Sequence, residues 1–221
     1  MTSANSPAVS PSIWELPDAQ AVTAVGQLLI GLPRTAVDDV LYRSVFAKYL
    51  VGTTTPPEPL YFAGSLSGGR YTPRRGPAGL YLSFDPATTP AELRAVVFNS
   101  NATLVTHGVD PIITVSVQTR VARVLDLTVE SNLAALALQP ADLVCDWEFE
   151  QEQYLDGRGS MPKTQMLALA AHGTGLFAGL KFPSARTSFG RNLVVFPDRL
   201  NAAVDWLQVL DSTGRWAQRL P

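Results

Sequence analysis

Residues 64–79 contain five glycines and two prolines, and this run constrains the fold of the chain more strongly than any other segment. Glycine and proline at this density predict an irregular loop rather than a helix or a strand. Directly after Gly79, Leu80-Tyr81-Leu82 predicts a short buried strand. Thr89-Pro90-Ala91-Glu92 then has the pattern of a capping box with proline at the first helical position. This pattern predicts a helix that runs to about Asn101.

The predicted loop, strand and helix carry a cation, an aromatic ring and a carboxylate: Arg70, Tyr81 and Glu92. These are the groups that a site for a charged, phosphate-bearing ligand requires. A glutamate in the first turn of a helix is also favoured in its ionised form. Each residue has a structural explanation as well. Glu92 completes a capping box, Arg70 belongs to an arginine-rich solvated loop, and Tyr81 between two leucines fits a core.

The remaining pattern predicts an α+β fold with a mixed, mostly antiparallel sheet and flanking helices. Residues 1–35 are expected to form an extension that is partly disordered and contains a short helix, and residues 36–221 the main domain. Strands are predicted at 38–50, 111–118, 121–127, 176–183 and 191–196, with one or two more within 203–219. Further helices are predicted at 128–138, at 140–155, and from Pro162 to His172.

Composition argues against several classes of function. A net charge of −2 does not favour direct nucleic-acid binding, which requires a basic surface. No apolar stretch reaches the roughly 18 residues of a membrane helix, and the polar N-terminus lacks the features of a secretory signal. The sequence therefore predicts a cytoplasmic protein with no membrane partner. With one cysteine, Cys145, and two histidines, His107 and His172, we expect no metal site.

Two familiar active-site motifs are approached but not matched. Residues 64–68 read Gly-Ser-Leu-Ser-Gly, with leucine where a nucleophile elbow needs its serine. Residues 173–179 have one residue too many for the dinucleotide fingerprint, and they follow a predicted helix instead of a strand. The strongest remaining candidates are Arg43, Arg70, Tyr81, Glu92 and Ser184.

Six short segments in the same order and spacing resemble the RES-domain family, the toxin half of bacterial RES–Xre toxin–antitoxin pairs. The resemblance covers roughly residues 40–200, and the family is named for an Arg, a Glu and a Ser. The segments are Leu41-Tyr42-Arg43, Gly68-Gly69-Arg70-Tyr71, Gly79-Leu80-Tyr81-Leu82-Ser83, Pro90-Ala91-Glu92-Leu93, Phe182-Pro183-Ser184-Ala185-Arg186 and Asn192-Leu193-Val194-Val195-Phe196-Pro197.

The resemblance implies a fold related to ADP-ribosyltransferase toxins and an activity that consumes NAD as substrate. It implies catalytic roles for Glu92, Arg70 and Ser184. It also implies that NAD is bound by Arg43, Arg70, Tyr71, Tyr81 and Arg186. The expected partner is an Xre-type antitoxin, and a homo-oligomer is left open.

Several alternatives remain open from the sequence. NAD cleavage by water or phosphate is the first expectation, protein ADP-ribosylation the second, and a non-catalytic binding module on the same fold the third. Arg43 fits a buried ion pair as well as a ligand contact, and Ser184 after Pro183 fits the start of a turn. Whether Glu92 and Arg70 face one cavity distinguishes an enzyme from a binding module.

Overall fold

The computed structural model of the chain describes residues 12–49, 62, 68–93, 96–98, 104–106, 111–209 and 217–221. The described chain forms both helices and strands. The helices are α1 (Asp18–Ile30), α2 (Thr88–Glu92), α3 (Glu130–Ala135), α4 (Pro140–Val144), α5 (Trp147–Leu155) and α6 (Lys163–Thr174). The strands are β1 (Thr35–Phe46), β2 (Leu80–Ser83), β3 (Val96–Phe98), β4 (Leu104–Thr106), β5 (Ile112–Asp126), β6 (Gly179–Pro183), β7 (Arg191–Val195), β8 (Trp206–Val209) and β9 (Gln218–Leu220).

Seven of these strands form one sheet in the order β1-β2-β7-β6-β5-β8-β9, and β1 also pairs with β5. The strands β1, β2, β7, β6 and β5 therefore close into a ring. All pairs in this sheet are antiparallel except β5 with β6. The predicted fold class, a mostly antiparallel mixed sheet with flanking helices, is confirmed.

Alternating side chains along the strands supply two apolar cores. Val124 of β5 packs inside the ring, whereas the adjacent Leu125 packs against the helices. In β7, Leu193 and Val195 face the ring interior and Val194 faces the helices. The ring is therefore filled on one side of the sheet and covered by helices on the other.

Helix α1 is part of the helix-side core. Its buried residues Ala21, Val25 and Leu29 recur at helical spacing, and the helix packs along α6. Just before it, Trp14 is buried and its Nε1 donates to the Leu136 carbonyl oxygen at 3.0 Å. The predicted helix in this region is confirmed. The predicted disorder of residues 1–12 falls on the part of the chain that is not described, apart from Ser12.

The helix predicted from Thr89 to about Asn101 is wrong in both its start and its length. The first turn is organised by Asp85, whose carboxylate accepts from the Ala87 amide and the Thr88 hydroxyl. Thr89 does not cap the helix, because its Oγ1 accepts instead from the Ser44 amide of β1 at 2.9 Å. Helix α2 ends at Glu92, and the chain then forms β3, a Val-Val-Phe segment of strong strand propensity.

Two other element boundaries also differ from the sequence prediction. Residues 112–126 form one continuous strand rather than two, because residues 117–120 are paired with β1 on one edge and with β8 on the other. The helix predicted at 140–155 is two helices, α4 and α5, separated at Cys145 and Asp146. The Asp146 side chain accepts from the Phe149 amide and so begins α5 anew.

The turn at residues 68–79 packs against β7, and its backbone at Gly79 comes so close to neighbouring side chains that only glycine fits there. A Cβ at Gly79 would lie 2.3 Å from Thr72 Cγ2 and 2.9 Å from Val194 Cγ2. Gly79→Ala is expected to destabilise the protein by about 1–3 kcal/mol, because the turn must move off the strand. Urea unfolding measures this loss.

Gly173→Ala is the matched control for that substitution. Nothing lies within 4 Å of a Cβ at Gly173, which is exposed in α6. In a helix interior, alanine is favoured over glycine by roughly 0.5–1 kcal/mol. The control should therefore unfold at a slightly higher urea concentration than wild type. Equal stability of Gly79→Ala and wild type would refute the close packing of this turn.

Candidate active site

A cavity of about 270 Å³ opens where β1, β2 and β7 meet α2 and the first turn of α5. Its wall combines charged groups with aromatic rings. The charged side chains are Arg43, Arg70, Glu92, Glu148 and Arg186, and the rings are those of Tyr81, Trp147 and Phe182. Three cations and two carboxylates in one cavity suit a ligand that carries both anionic and cationic parts.

Glu92 lies at the last residue of α2, and its side chain is fixed from one side. Its Oε1 accepts from Ser184 Oγ at 2.5 Å and from Asn192 Nδ2 at 2.7 Å. No described residue donates to Oε2. Because Glu92 ends the helix, a helix N-terminus does not stabilise its charge, contrary to the sequence-based argument. Two neutral donors hold this carboxylate in place of the expected helix dipole.

Ser184 does not line the cavity but contacts Glu92 from behind. Its Oγ accepts from the backbone amides of Arg186 at 3.0 Å and Thr187 at 3.1 Å. These two amides fix the hydroxyl so that its hydrogen points to Glu92. The Ser184 hydroxyl therefore begins a turn, as the sequence suggested, and it also donates to the Glu92 carboxylate.

Arg70 lines the cavity and also binds the chain between α4 and α5. Its Nη1 donates to the carbonyl oxygens of Leu143 at 3.1 Å and Cys145 at 2.7 Å, and the residue is only 9% exposed. A solvated loop, the alternative explanation, is therefore excluded. Within the described chain, Nη2 and Nε of Arg70 have no protein acceptor. One edge of the guanidinium is structural and the other is available to a ligand.

Arg43 and Arg186 reach the same cavity from other elements. Arg43 extends from β1, and its Nη1 donates to the Tyr81 carbonyl oxygen at 2.9 Å. Burial lowers the pKa of Arg43 to about 10, so the side chain remains cationic at neutral pH. Arg186 follows β6 and is exposed at the cavity wall.

The two tyrosines predicted to contact the ligand have different positions. Tyr81 lines the cavity, and its Oη accepts from the Tyr71 amide at 2.9 Å and lies 3.0 Å from Thr72 Oγ1. Burial raises its pKa to about 12, so the phenol is neutral. Its ring meets the Phe182 ring edge-on.

Tyr71 is a core residue, which corrects the prediction that it contacts the ligand. It is fully buried, it does not line the cavity, and its ring centroid lies 4.2 Å from that of Phe182. Burial raises the pKa of its phenol well above the usual value. The residue next to Arg70 therefore supports the wall from behind.

Several residues of this site were not identified from the sequence. Asn192 binds Glu92, and Ser83 Oγ in turn donates to Asn192 Oδ1 at 2.7 Å. Trp147 and Glu148 belong to a helix that the sequence analysis did not connect with the site. A polar residue at the start of the apolar segment 192–196 was the one available signal for Asn192.

The described residues contain neither a cluster of metal ligands nor a membrane-spanning helix. No three His, Cys, Asp or Glu side chains there come together as ligands of one metal ion would. None of the described helices has the length and apolarity needed to cross a membrane.

Comparisons with known proteins identify the fold and the family of this chain. The crystal structure of the M. tuberculosis MbcT–MbcA toxin–antitoxin complex contains a chain with the same fold. Its TM-score is 0.57 at 18% sequence identity, over 85% of this chain and 89% of that chain. A search of curated proteins gave no match. The family described as RES domain matches residues 35–217, a range that includes every cavity residue named above. The chain therefore belongs to the RES-domain family.

Proposed function

We propose that this protein cleaves the nicotinamide–ribose bond of NAD and acts as the toxin of a toxin–antitoxin pair. The proposal rests on the way the two carboxylate oxygens of Glu92 are hydrogen-bonded. Its Oε1 is held by Ser184 and Asn192, and its Oε2 is left without a donor in the described chain. This carboxylate shares one cavity with three arginines, which supports an enzyme over a non-catalytic binding module.

The proposed reaction begins with departure of nicotinamide. The bond from the ribose C1 to the nicotinamide nitrogen breaks, and its electron pair stays on that nitrogen. The positive charge of the pyridinium passes to an oxocarbenium-like ribose, as in glycoside cleavage. A fixed carboxylate stabilises this charge as it develops, and Oε2 of Glu92 is the oxygen available to it. Water then attacks C1 and loses a proton to the solvent, whereas phosphate attacks C1 through an unprotonated oxygen and releases none.

The arginines suit the pyrophosphate of NAD. A guanidinium binds phosphate oxygens through two parallel hydrogen bonds. The unoccupied edge of Arg70 and the exposed side chain of Arg186 are available for such contacts. Arg43 adds a half-buried positive charge near the Tyr81 backbone. The ring of Tyr81 is the proposed stacking surface for nicotinamide.

Transfer of ADP-ribose to a protein side chain shares the first step with hydrolysis and phosphorolysis. The three reactions differ only in the group that attacks C1. Hydrolysis yields ADP-ribose, phosphorolysis yields its phosphate ester, and transfer adds ADP-ribose to a protein. Release of nicotinamide is common to all three, so it is the product that tests the proposed site.

The proposed partner is an antitoxin of the Xre type, and the proposed location is the cytoplasm, where NAD is available. Support comes from the similar fold of a chain in a toxin–antitoxin complex. The proposed catalytic unit is residues 36–221, close to the range that the family matches. Residues 1–35 are the proposed extension, whose helix α1 packs against this unit.

Expression of the chain in bacteria without a partner is expected to stop growth and to lower cellular NAD. The matched control is Glu92→Gln expressed at the same level, which should leave growth and NAD unchanged because it lacks the anionic carboxylate. Growth curves and NAD extraction at fixed times after induction measure both effects. Normal growth with unchanged NAD, or arrest without a fall in NAD, would contradict the proposed toxin activity.

A further inference from the structure

Ser83 and Asn192 form a buried polar pair in an otherwise apolar part of the sheet. They are register partners across β2 and β7, and each is only 3% exposed. Their neighbours Leu82 and Leu193 are fully buried apolar side chains. Buried polar groups are costly unless they are hydrogen-bonded. A paired serine and asparagine at this position therefore need an explanation beyond packing.

The pair forms a chain of hydrogen bonds that ends on Glu92. Ser83 Oγ donates to Asn192 Oδ1, and Asn192 Nδ2 donates to Glu92 Oε1, both at 2.7 Å. A carboxamide has its acceptor and its donors on opposite sides. Because the carboxylate can only accept, the amide nitrogen must face Glu92, and the Ser83 hydroxyl then donates to the amide oxygen. A rotated amide would place two acceptor oxygens against each other.

The second donor to Glu92 is fixed in the same manner. Ser184 Oγ accepts two backbone amides, so its single hydrogen is directed to Oε1. Both donors use the same oxygen, and both are held by groups behind them. Oε2 therefore receives no donor from the described residues, and Glu92 lines the cavity. The other titratable groups that line the cavity are Arg43 from β1, Arg70 from the 68–72 turn, Tyr81 from β2, Glu148 from α5 and Arg186 from the loop after β6.

We propose that Ser83 is a positioning residue that acts through Asn192 to hold the Glu92 carboxylate with Oε2 presented to the substrate. This inference rests on the proposed function. Ser83 and Asn192 are not among the Arg, Glu and Ser of the family name, yet on this proposal they determine how the Glu92 carboxylate is oriented. Neither residue supplies the charge itself. They determine which of the two carboxylate oxygens is occupied by a donor.

The first test is a double-mutant cycle on nicotinamide release. Ser83→Ala should lower kcat about 5- to 10-fold with KM changed less than about 2-fold, since one neutral hydrogen bond contributes roughly 1 kcal/mol. Asn192→Ala should lower kcat further. Because Ser83 acts through Asn192, the double variant should match Asn192→Ala within about 2-fold. An unchanged kcat in Ser83→Ala, or multiplied losses in the double variant, would overturn the proposal.

The second test is Asn192→Asp, which preserves size but removes the donor. Two carboxyl groups then face each other at hydrogen-bond distance and can share one proton. The acidic limb of the rate–pH profile should move to higher pH by about one unit or more. A profile that coincides with that of wild type would overturn the proposal, because it would show that the donor does not control the carboxylate.

Stability measurements separate this inference from the proposed function. In Asn192→Asp, the shared proton is bound more tightly in the folded state than in the unfolded state. The variant should therefore approach the stability of wild type at pH 5.5 and fall below it at pH 8, measured by urea unfolding of the full chain. If wild type releases no nicotinamide, the proposed cleavage of NAD fails. The stability measurement still tests whether Asn192 donates to Glu92. If the stability difference between Asn192→Asp and wild type does not change with pH, the hydrogen-bond chain from Ser83 through Asn192 to Glu92 is refuted.

Discussion

Arg70→Met is expected to lower the thermal midpoint of unfolding by roughly 6–12 °C. The substitution removes both hydrogen bonds from Nη1 and leaves the Leu143 and Cys145 carbonyls without their donor. Hydrogen bonds to charged groups contribute roughly 1.5–3 kcal/mol each, and we expect a total loss of about 3 kcal/mol. In a domain of this size, 1 kcal/mol corresponds to roughly 2–4 °C.

The matched control is Arg74→Met, at an exposed arginine of the same turn. It removes the same charge without a buried partner and should unfold within about 2 °C of wild type. Thermal unfolding followed by circular dichroism compares the three proteins. If Arg70→Met and Arg74→Met unfold at the same temperature, Arg70 is not the link between the turn and the α4–α5 junction.

Glu92→Gln is expected to lower nicotinamide release by about 10²-fold or more while NAD binding changes little. Glutamine has nearly the same shape and can still accept from Ser184 and Asn192. It lacks the negative charge that stabilises the oxocarbenium-like state. Loss of one such preorganised electrostatic contact costs about 10²–10³ in kcat. Chromatography of nicotinamide gives the rate, and titration calorimetry gives the affinity for NAD.

Glu152→Gln is the control for this loss, because it makes the same chemical change at an exposed residue of α5. Its rate should equal that of wild type. A Glu92→Gln enzyme with more than about a tenth of the wild-type rate would show that the carboxylate is not the principal stabilising group. Lost NAD binding would instead place Glu92 in recognition rather than in the chemical step.

Local pattern was sufficient for most elements, and the family resemblance added to it the full set of candidate site residues. Arg43, Arg70, Tyr81, Glu92 and Arg186 were all assigned to the site from the sequence, and the structure places all five on one cavity wall. Their elements follow from short-range signals, such as alternation in β1 and the apolar segment of β2. The convergence of the segments could be expected only from the family resemblance.

The wrong predictions arise where a local signal competes with a tertiary contact. Thr89 has the sequence context of a helix cap, yet its hydroxyl accepts from Ser44 of β1. Tyr71 follows Arg70 directly, but its ring turns into the core. The direction of a side chain within a turn depends on the turn conformation, which residue order alone does not specify.

The partners of Glu92 could not be predicted because they are far apart in the chain. Ser184 and Asn192 lie 92 and 100 residues from Glu92, and each reaches it through the pairing of strands. Sequence periodicity identifies strands but not which strands become neighbours. The composition of segment 192–196 indicates a strand in which Asn192 is unusual, without indicating its partner.

Nicotinamide release by the purified full chain is the measurement that shows whether the protein cleaves NAD and whether Glu92 is needed for it. Wild type is incubated with NAD in phosphate buffer and in phosphate-free buffer, with Glu92→Gln in parallel, and all products are quantified. Wild type should release one nicotinamide for each NAD consumed in at least one buffer, together with an equal amount of an ADP-ribosyl product. Glu92→Gln should release almost none. Intact NAD in both buffers would contradict NAD cleavage. Equal release of nicotinamide by the two proteins would contradict the role of Glu92.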